Sequence, residues 1–569
     1  MYLRKVKEKK TGRVYVSIVE SYRDKETKKT KSRTIKSLGY LDELIHKYPY
    51  PIKHFEGVIA KMNTERLNGN ADILLKYKPS DKLLIGTNNR SNFGYSAFSS
   101  IYHELEIDKF LINRQRSTKI EANTNNIMKL LVYSRLLNPG SKKQAYENRG
   151  QFFENSNYSL DDIYRALTFF NKKGNELQLW INDKVKAKYG RDTSLVYYDV
   201  TNYYFESDAE DDFRKKGVSK EHRPNPIVQM GLFMDTNGIP ITYDLHSGNT
   251  NDCLTYRPTF SRMKKDFNLG KVIVVADKGM NTGDNINYTL SANDGFVFSQ
   301  TARGAKKELK DYIKDNVGYE WYGKDYKWKE RLYPTKIWIT TTSGKKVEKV
   351  IDVKQVVFYS EKYAKKAKHE RTKAIEKAKK LINSPSSYNK ASSYDVAAYV
   401  KNLTFVKETG EIADASTLEL DEERIKDQEA LDGYYVIVTS EYTKPAHEII
   451  NIYRGLWKIE ESFKVTKSDL ETRPVYLATE DHIKAHFLTC FISLVLARIL
   501  EYITGGKHSI TKMIESLNKC TCTNIDQNYY LFDYYDDILA DIGKATDIDF
   551  STKIRTLQQI KINISETRN

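Results

Sequence analysis

The chain has 569 residues, of which 40% are hydrophobic and 29% are charged, and its 92 Lys and Arg residues outnumber 75 Asp and Glu to give a net charge of +17. Because single domains usually contain about 100–200 residues, this length predicts several domains. A basic surplus of this size favours a polyanionic partner, most often nucleic acid, although a merely solvated surface is the alternative.

The composition argues against three other classes of protein. The 4 cysteines are too few for a disulfide framework and lack paired zinc spacing, which favours a reducing cytoplasm. The basic amino-terminal segment has no apolar core of the kind found in a secretory signal. The longest apolar run, residues 487–500, is shorter than the roughly 20 residues that cross a bilayer, so it predicts a buried helix.

The first two regions differ in their periodicity. Residues 1–80 contain alternating segments around a turn at Thr11-Gly12, with Lys or Arg recurring along them. This pattern predicts a basic β-rich DNA-binding region, with a charged edge that resists aggregation as the alternative. Residues 81–190 change to a helical pattern in which Ser159 is a predicted N-cap, and they form a helical DNA-binding or linking region.

Residues 191–302 alternate between strands and helices. The segment VYYDVTNYYFE, residues 196–206, is rich in β-branched and aromatic types and predicts a strand. Asp199 is the misfit in it, because a carboxylate is costly to bury unless it is paired or holds a metal. Two more strands joined by a turn at Thr236-Asn237-Gly238, followed by two helix–strand units, predict a mixed sheet of the ribonuclease H type.

The remaining regions divide at changes of pattern. Residues 303–430 predict an insertion domain that is rich in strands and carries a strongly basic helix at 361–382, followed by a Ser-rich loop at 384–393. Residues 431–504 predict a return to the main sheet, with a long helix from about Pro445. The carboxyl-terminal segment, residues 505–569, is a candidate for dimerisation.

Two acidic residues on predicted central strands of one sheet suggest a metal site. Asp277 ends the buried strand KVIVVAD, and the carboxyl ends of strands are where open α/β sheets bind ligands. Taken alone, Asp277 could instead cap the next helix, and Asp199 could lie at an edge. Together, two carboxylates on central strands of one sheet can hold a hard divalent cation, which prefers oxygen ligands.

A third carboxylate is available in the segment YRGLWKIEESFKVTK. Glu460 shares a helix face with Tyr453 and Lys467, whereas Glu461 points about 100° away on a helix of ~3.6 residues per turn. The alternative is an amphipathic surface helix with charge pairs.

The segments YYDVTNYYFE, VVADKGM and YRGLWKIEESFKVTK together resemble the three catalytic blocks of bacterial insertion-sequence DDE transposases, the cut-and-paste group with a Tyr-x2-Arg-x3-Glu-x6-Lys signature. Tyr453, Glu460 and Lys467 fall on three of the four signature positions. Leu456 occupies the position of the arginine, and Arg454 or Lys458 is a candidate replacement.

The resemblance implies an α/β fold class: a catalytic core with an RNase H-like mixed sheet and a β-rich insertion, preceded by a small basic β-ribbon and a helical DNA-binding region. It implies that Asp199, Asp277 and Glu460 form the catalytic, metal-binding triad for two Mg²⁺ ions, with Mn²⁺ as an acceptable substitute. The implied reaction cleaves the element ends, passes through hairpin intermediates and joins the 3′-OH ends to target DNA.

The implied partners are double-stranded DNA, at terminal inverted repeats and in the target, and a second copy in a homodimeric synaptic complex. No membrane role is expected, and the location is cytoplasmic and nucleoid-associated. Two alternatives are a metal-dependent nuclease without strand transfer and an inactive DNA-binding repressor. The three tryptophans either stack on a flipped base or pack in the core. The side chains expected to contact DNA are Tyr453, Arg454, Lys464, Lys467, Trp321, Trp328 and Trp338.

Overall fold

The chain divides into two compact units. The first comprises Met1–Lys184, Asp469–Glu471 and Ala485–Asn569, and the second comprises Val185–Ser468 and Thr472–Lys484. The predicted loop at 384–393 lies outside the described residues. The computed structural model describes residues 1–9, 11–23, 29–67, 80, 82–221, 223–323, 326–383, 399–405, 412–526 and 528–567.

The strands are numbered in chain order. They are β1 Tyr2–Lys7, β2 Val14–Arg23, β3 Thr30–Tyr40, β4 Arg90–Asn92, β5 Leu195–Tyr204, β6 Ile227–Met234, β7 Pro240–Ser247, β8 Ile273–Ala276, β9 Gly295–Gln300, β10 Glu320–Tyr322, β11 Tyr326–Thr340, β12 Lys346–Tyr359, β13 Val400–Phe405, β14 Ile412–Leu420, β15 Tyr434–Thr439, β16 Thr521–Asp526, β17 Tyr529–Phe532 and β18 Ile554–Thr556.

The α-helices are numbered in the same way. They are α1 Leu41–Ile45, α2 Pro51–Leu67, α3 Tyr95–Glu104, α4 Ile107–Gln115, α5 Thr124–Leu137, α6 Lys142–Glu147, α7 Leu160–Tyr189, α8 Asp252–Asp266, α9 Gly283–Ser291, α10 Lys307–Lys314, α11 Glu361–Ile382, α12 Glu422–Glu429, α13 Ala446–Arg454, α14 Trp457–Ser468, α15 Glu480–Ile503, α16 Ile510–Lys519, α17 Asp537–Thr546 and α18 Leu557–Glu566.

The first unit begins with a small antiparallel sheet in the order β1-β2-β3. Val16 of this sheet packs with Leu44 of α1 and Phe55 of α2, so the basic ribbon has a small core of its own. Helix α15 is long and apolar enough to cross a membrane by length and composition, and 94% of its most apolar window is buried inside the protein. The buried helix predicted over residues 487–500 is confirmed.

The second unit is built on a nine-stranded sheet in the order β10-β11-β12-β15-β9-β8-β5-β6-β7. Strand β6 is antiparallel to β5 and β7, whereas β8 is parallel to both β5 and β9. The mixed sheet that was predicted from three consecutive strands and two helix–strand units is therefore present. Strands β11 and β12 of the insertion extend this sheet because β12 pairs with β15.

The two faces of β5 have different neighbours. Val196, Tyr198 and Val200 point into the main hydrophobic core, where Tyr256 and Phe260 of α8 are also buried. Side chains on the opposite face of β5 contact the segment that contains α13 and α14. The Tyr203 hydroxyl lies 2.7 Å from the Thr466 hydroxyl of α14, and Tyr197 lies against Gly455 between the two helices. Strand β5 is consequently covered on both faces.

The long helix predicted from about Pro445 is wrong, because the segment forms two helices that are separated at Gly455 and Leu456. A Cβ atom on Gly455 would lie 1.9 Å from the Tyr197 hydroxyl oxygen, so the chain approaches the sheet here more closely than a larger residue permits. Leu456 is buried beside this contact. Glycine has a low helix propensity, and the close packing against β5 requires glycine at this position, so both favour an end of the first helix here.

We expect Gly455→Ala to lower the free energy of unfolding by about 1–3 kcal/mol, since Tyr197 or the helix junction must move to admit the methyl group. Urea denaturation followed by tyrosine and tryptophan fluorescence measures this change.

Gly270→Ala is the matched control, because it makes the same substitution in the same unit where a Cβ atom meets no other atom within 4 Å. Equal stability of the two variants would contradict the close approach at Gly455.

Candidate active site

The parallel pairing of β5 with β8 brings Asp199 and Asp277 together. Tyr198 pairs with Ala276 in this register, so the next residue on each strand is an aspartate. Asp277 has extended backbone angles, φ −77° and ψ 179°, and therefore continues the line of its strand. Since neighbouring strands lie about 4.8 Å apart, the two side chains project from adjacent positions on the face opposite the main core.

Each aspartate is held by a backbone hydrogen bond. Asp199 Oδ1 accepts one from the Val200 amide at 2.7 Å, and Asp277 Oδ1 accepts one from the Gly279 amide at 2.7 Å. Both side chains are half-buried. Among the described residues, the Oδ2 atom of neither aspartate accepts a hydrogen bond, so an oxygen on each remains available to a ligand.

The surroundings of Asp199 raise the pKa of its carboxyl. Burial raises the pKa of its carboxyl to about 7, and the negative charges of Asp277 and Glu460 add to the rise. The positive charge of Lys220 acts in the opposite direction. The carboxylates are therefore close enough to repel one another, which is the condition that a bound cation relieves.

Helix α14 places Glu460 over this part of the strand. Gly455 contacts Tyr197 and Thr466 contacts Tyr203, so the helical segment runs along β5 for about 16 Å. Glu460 lies near the middle of this segment, and Asp199 lies in the part of β5 that the segment faces. Its side chain borders the buried face of α14 and is exposed to solvent.

Tyr453 joins the same group from the end of α13. Burial raises its pKa to about 12, and its hydroxyl bonds to Ser299 on β9, next to β8. Asp277 and Glu460 also contribute to the rise in its pKa, so their carboxylates lie near its hydroxyl. The structure thus brings together Tyr453 and the three acidic residues that the sequence singled out.

A fourth carboxylate, Asp252, was missed by sequence reasoning. It opens α8, and burial and the charge of Asp277 raise its pKa, whereas Lys220 lowers it. The buried Asn285 side chain donates to the carbonyl of Cys253 at 3.0 Å and to that of Met280 at 3.1 Å, which fixes the start of α8 beside the turn that follows Asp277. No spacing pattern in the sequence predicts that Asp252 lies near Asp277.

The signature lysine lies in a charged cluster. Lys467 Nζ bonds to Glu221 Oε1 at 2.9 Å, and Arg473 Nη1 lies 2.6 Å from the same oxygen. Burial lowers the pKa of Lys467, and the charges of Arg473 and Lys220 contribute to the lowering. Lys220, Glu221 and Arg473 occupy irregular segments, so helix or strand periodicity could not have identified them.

The two candidate replacements for the signature arginine are engaged elsewhere. The Arg454 guanidinium lies over the Tyr326 ring, 4.3 Å from its centroid. Lys458 Nζ donates to the Thr236 carbonyl at 2.6 Å. Lys464, also predicted to contact DNA, is exposed on α14.

The three predicted tryptophans lie in the extension of the sheet. Trp321 and Trp338 are 62% and 59% exposed, on β10 and β11, and Trp328 is half-buried on β11. Strands β12, β15 and β9 separate β11 from β8 in the sheet order. Two exposed indoles are therefore available on the surface. The backbone of Trp338 also packs closely against Gly283 at the start of α9, so this part of β11 lies near the segment that follows Asp277.

Comparison with known proteins gives a family for this arrangement. Residues 191–496, more than half of the chain, match the family model of the transposase DDE domain, and residues 3–72 match that of the IS1634 family transposase N-terminal domain. The chain therefore belongs to the DDE transposases, enzymes that act on DNA and depend on divalent metal ions. Within this class it is a bacterial insertion-sequence transposase.

No curated protein matches the chain. One similar solved structure is the cryo-EM structure of a piggyBac transposase synaptic complex with hairpin DNA, which aligns over 84% of this chain and 84% of that chain with 9% identity and a TM-score of 0.35. Similarity at this level adds nothing to the family assignment.

The acidic residues offer the type of ligand that the family requires. Hard divalent cations take oxygen ligands, and Asp199, Asp277 and Glu460 supply carboxylate oxygens that already influence one another. Within the part of the chain that the structure describes, no three His, Cys, Asp or Glu side chains converge closely enough to hold one ion. The donor chemistry fits a divalent cation, with the two aspartates adjacent and Glu460 close by.

The pKa of Asp199 predicts how the stability of the metal-free protein depends on pH. Because the folded-state pKa is raised to about 7, the folded chain binds more protons than the unfolded chain between about pH 4 and pH 7, and stability falls as the pH rises through that range. Asp199→Asn removes this cost. We expect the variant to be about 1–2 kcal/mol more stable than the wild type at pH 8 and similar to it near pH 4.

Urea denaturation at the two pH values, in the presence of a chelator, tests this expectation. The exposed Asp212→Asn change in the same unit serves as the control. If Asp199→Asn gains no stability relative to the wild type as the pH rises, the buried charge is not at Asp199.

Proposed function

We propose that this transposase cuts the ends of its insertion sequence by metal-dependent phosphoryl transfer, with Asp199, Asp277 and Glu460 as the catalytic triad. The observation that carries the proposal is the register of β5 and β8, in which the aspartates follow the paired residues Tyr198 and Ala276. The position of α14 along β5 supports Glu460 as the third member.

The proposed core is RNase H-like. In support, the five strands in the order β7-β6-β5-β8-β9 combine an antiparallel meander with two parallel strands, and α8 and α9 contribute to the core on one face. The aspartates occupy the first and fourth strand positions along the chain, which are neighbours in the sheet. This topology explains how two residues that are far apart in the sequence form one site.

The same triad would serve each chemical step. When bound, two Mg²⁺ ions, or Mn²⁺ in their place, would lower the pKa of the attacking water or 3′-hydroxyl and stabilise the leaving oxygen. Asp199, Asp277 and Glu460 would hold these ions, and Tyr453 and Lys467 would bind backbone phosphates beside them. We propose nicking at the element end, hairpin formation and reopening, and joining of the 3′-OH to target DNA. None of these steps requires a covalent bond to the protein.

The proposed assembly is a homodimer that pairs two terminal inverted repeats in a synaptic complex, in the cytoplasm and associated with the nucleoid. Residues 1–80 and 81–190 would bind and position DNA, and residues 505–569 would contribute to dimerisation. The catalytic core would comprise 191–302 and 431–504, interrupted by the insertion at 303–430. Arg454, Lys464 and the three tryptophans remain proposed DNA contacts.

The triad predicts selective loss of chemistry. We expect Asp199→Asn, Asp277→Asn and Glu460→Gln each to slow Mg²⁺-dependent cleavage of an element end by at least about 10³-fold, since metal-assisted charge stabilisation contributes several kcal/mol. Binding of the same duplex in EDTA should be largely retained. Gel analysis of nicked, hairpin and joined products measures each step.

Glu461→Gln is the matched control, because Glu461 is the next residue on α14 and points about 100° away from Glu460. Loss of cleavage in Glu461→Gln but not in Glu460→Gln would show that the helix register is wrong. Cleavage without joined products would favour the nuclease alternative, and DNA binding without cleavage would favour the repressor.

Helix α11 is a proposed duplex-binding surface. Its inner face is fixed because Arg371 is ion-paired with Asp432 and Glu429, and Ala378 is fully buried. The outer face is exposed and basic, and its members recur every three or four residues over about 27 Å. They are Lys362, Lys366, His369, Lys373, Lys377 and Lys380.

The basic stripe on α11 predicts a specific change in salt dependence. We expect the double variant Lys362→Gln, Lys373→Gln to bind duplex DNA more weakly and to reduce the slope of log K against log [salt] by about 2, because each lysine that neutralises a phosphate contributes roughly 1 to the slope. Fluorescence anisotropy over a salt titration in EDTA measures this slope.

A control on the same helix is Lys368→Gln, Lys379→Gln, which removes two exposed charges with the same spacing from the flank of the stripe. Equal slopes for the two double variants would indicate general attraction to a basic helix rather than docking on the stripe.

A further inference from the structure

An anionic side chain of the protein occupies the centre of a cluster of cations beside the acidic site. Glu221 Oε1 lies 2.9 Å from Lys467 Nζ and 2.6 Å from Arg473 Nη1. Lys220 is the preceding residue, and its charge also acts on Lys467 and on Asp199. Two cations thus bind one carboxylate and a third lies close enough to act on Lys467, and this excess of positive charge favours an anionic ligand.

The cations satisfy Glu221 only in part, so this carboxylate is held by one of its two oxygens. Its second oxygen, Oε2, is buried and has no hydrogen-bond partner among the described residues. A phosphate group presents more acceptor oxygens than a carboxylate does, and an arginine can bind two of them at once. The cluster therefore has the donors of a phosphate site, with a side chain in the place of the ligand.

The chain holds each component in this position. Val475 pairs with the end of β5, since its amide donates to the Tyr204 carbonyl at 3.0 Å, and this pairing positions Arg473 beside the strand. The loop that carries Glu221 is tied to the same strand, because Asn202 Nδ2 donates to the Val218 carbonyl at 2.9 Å. Lys220 Nζ donates to the Val200 carbonyl, next to Asp199. The cations therefore lie along β5, beside the acidic site.

We infer that Lys467, Arg473 and Lys220 form a binding site for a DNA backbone phosphate, and that Glu221 occupies this site until DNA displaces it. Arg473 then takes the part of the signature arginine, whose position is occupied by the buried Leu456. This inference rests on the proposed function, because it assumes that DNA is cut at the neighbouring carboxylates. In the absence of DNA, Glu221 neutralises the cations and holds the loop against β5.

The displacement model predicts opposite effects for the two partners. Glu221→Gln removes the competing charge, so it should bind an element-end duplex about tenfold more tightly. Arg473→Gln should bind it about tenfold more weakly and reduce the salt slope by about 1. Fluorescence anisotropy in EDTA measures both without any cleavage, so the result does not depend on the triad being catalytic.

Stability separates displacement from a purely structural ion pair. Glu221→Gln leaves two cations without their carboxylate, and its urea midpoint should fall in the absence of DNA and recover when the duplex is added. Asp208→Asn is the matched control, since it removes one exposed charge from the same loop, where Asp208 accepts a 3.3 Å hydrogen bond from Asn225. Its affinity for DNA should equal that of the wild type.

A chemical double-mutant cycle locates the phosphate. The probe is a set of duplexes that each carry one neutral methylphosphonate, placed at successive positions around the cleavage site. At one position the substitution should weaken binding to the wild-type protein. At that position it should cause no further loss of affinity in the Arg473→Gln variant, which already lacks the contact. Unchanged or weaker binding by folded Glu221→Gln, or additive losses at every methylphosphonate position, would overturn the inference. If Glu221→Gln does not fold, the cycle with Arg473→Gln decides the question. These binding results would not change the separate test of the proposed function, which is the loss of cleavage in the triad variants.

Discussion

The parallel pairing of β5 with β8 is the constraint on which the acidic site depends. Its register gives adjacent positions to Asp199 and Asp277, although their charges repel and burial raises the pKa of Asp199 to about 7. The opposing contribution comes from the other face of the strand, where Val196, Tyr198 and Val200 lie in the main core. Because an apolar core holds the strand rigidly, the site can tolerate electrostatic strain that an exposed loop would relieve by moving.

The close approach of Gly455 to Tyr197 is the second constraint, and it determines how the helices meet the strand. The contact ends α13 and allows α14 to begin in a new position over β5. Tyr453 precedes this junction and Glu460 follows it, yet both influence the same acidic group. Tyr453 and Glu460 therefore reach the same acidic group although the backbone between them does not form one continuous helix.

Sequence patterns predicted the parts of the fold that local chemistry determines. Aromatic and β-branched residues identified β5, the hairpin turn identified β6 and β7, and the basic periodicity identified α11 with the observed limits. Gly455 is a local signal for a helix end, but its close approach to the Tyr197 hydroxyl could not be predicted, since Tyr197 is distant in the sequence. Asp252, Glu221 and Arg473 were missed for a related reason: each lies in or next to an irregular segment, and only strand pairing and the packing of loops bring them to the site.

Lys220 links the acidic group to the cation cluster. Its charge opposes the rise in the pKa of Asp199 and of Asp252, so it acts as an internal counterion for carboxylates that repel one another. Its neighbour Glu221 has the complementary relation to Lys467 and Arg473. Two consecutive residues of one loop thus neutralise two clusters of opposite sign. A cation bound at the carboxylates would reduce the need for Lys220, and a phosphate bound at the cations would reduce the need for Glu221. Because the two residues are covalent neighbours, the same loop contacts β5 beside the acidic group and the cations Lys467 and Arg473.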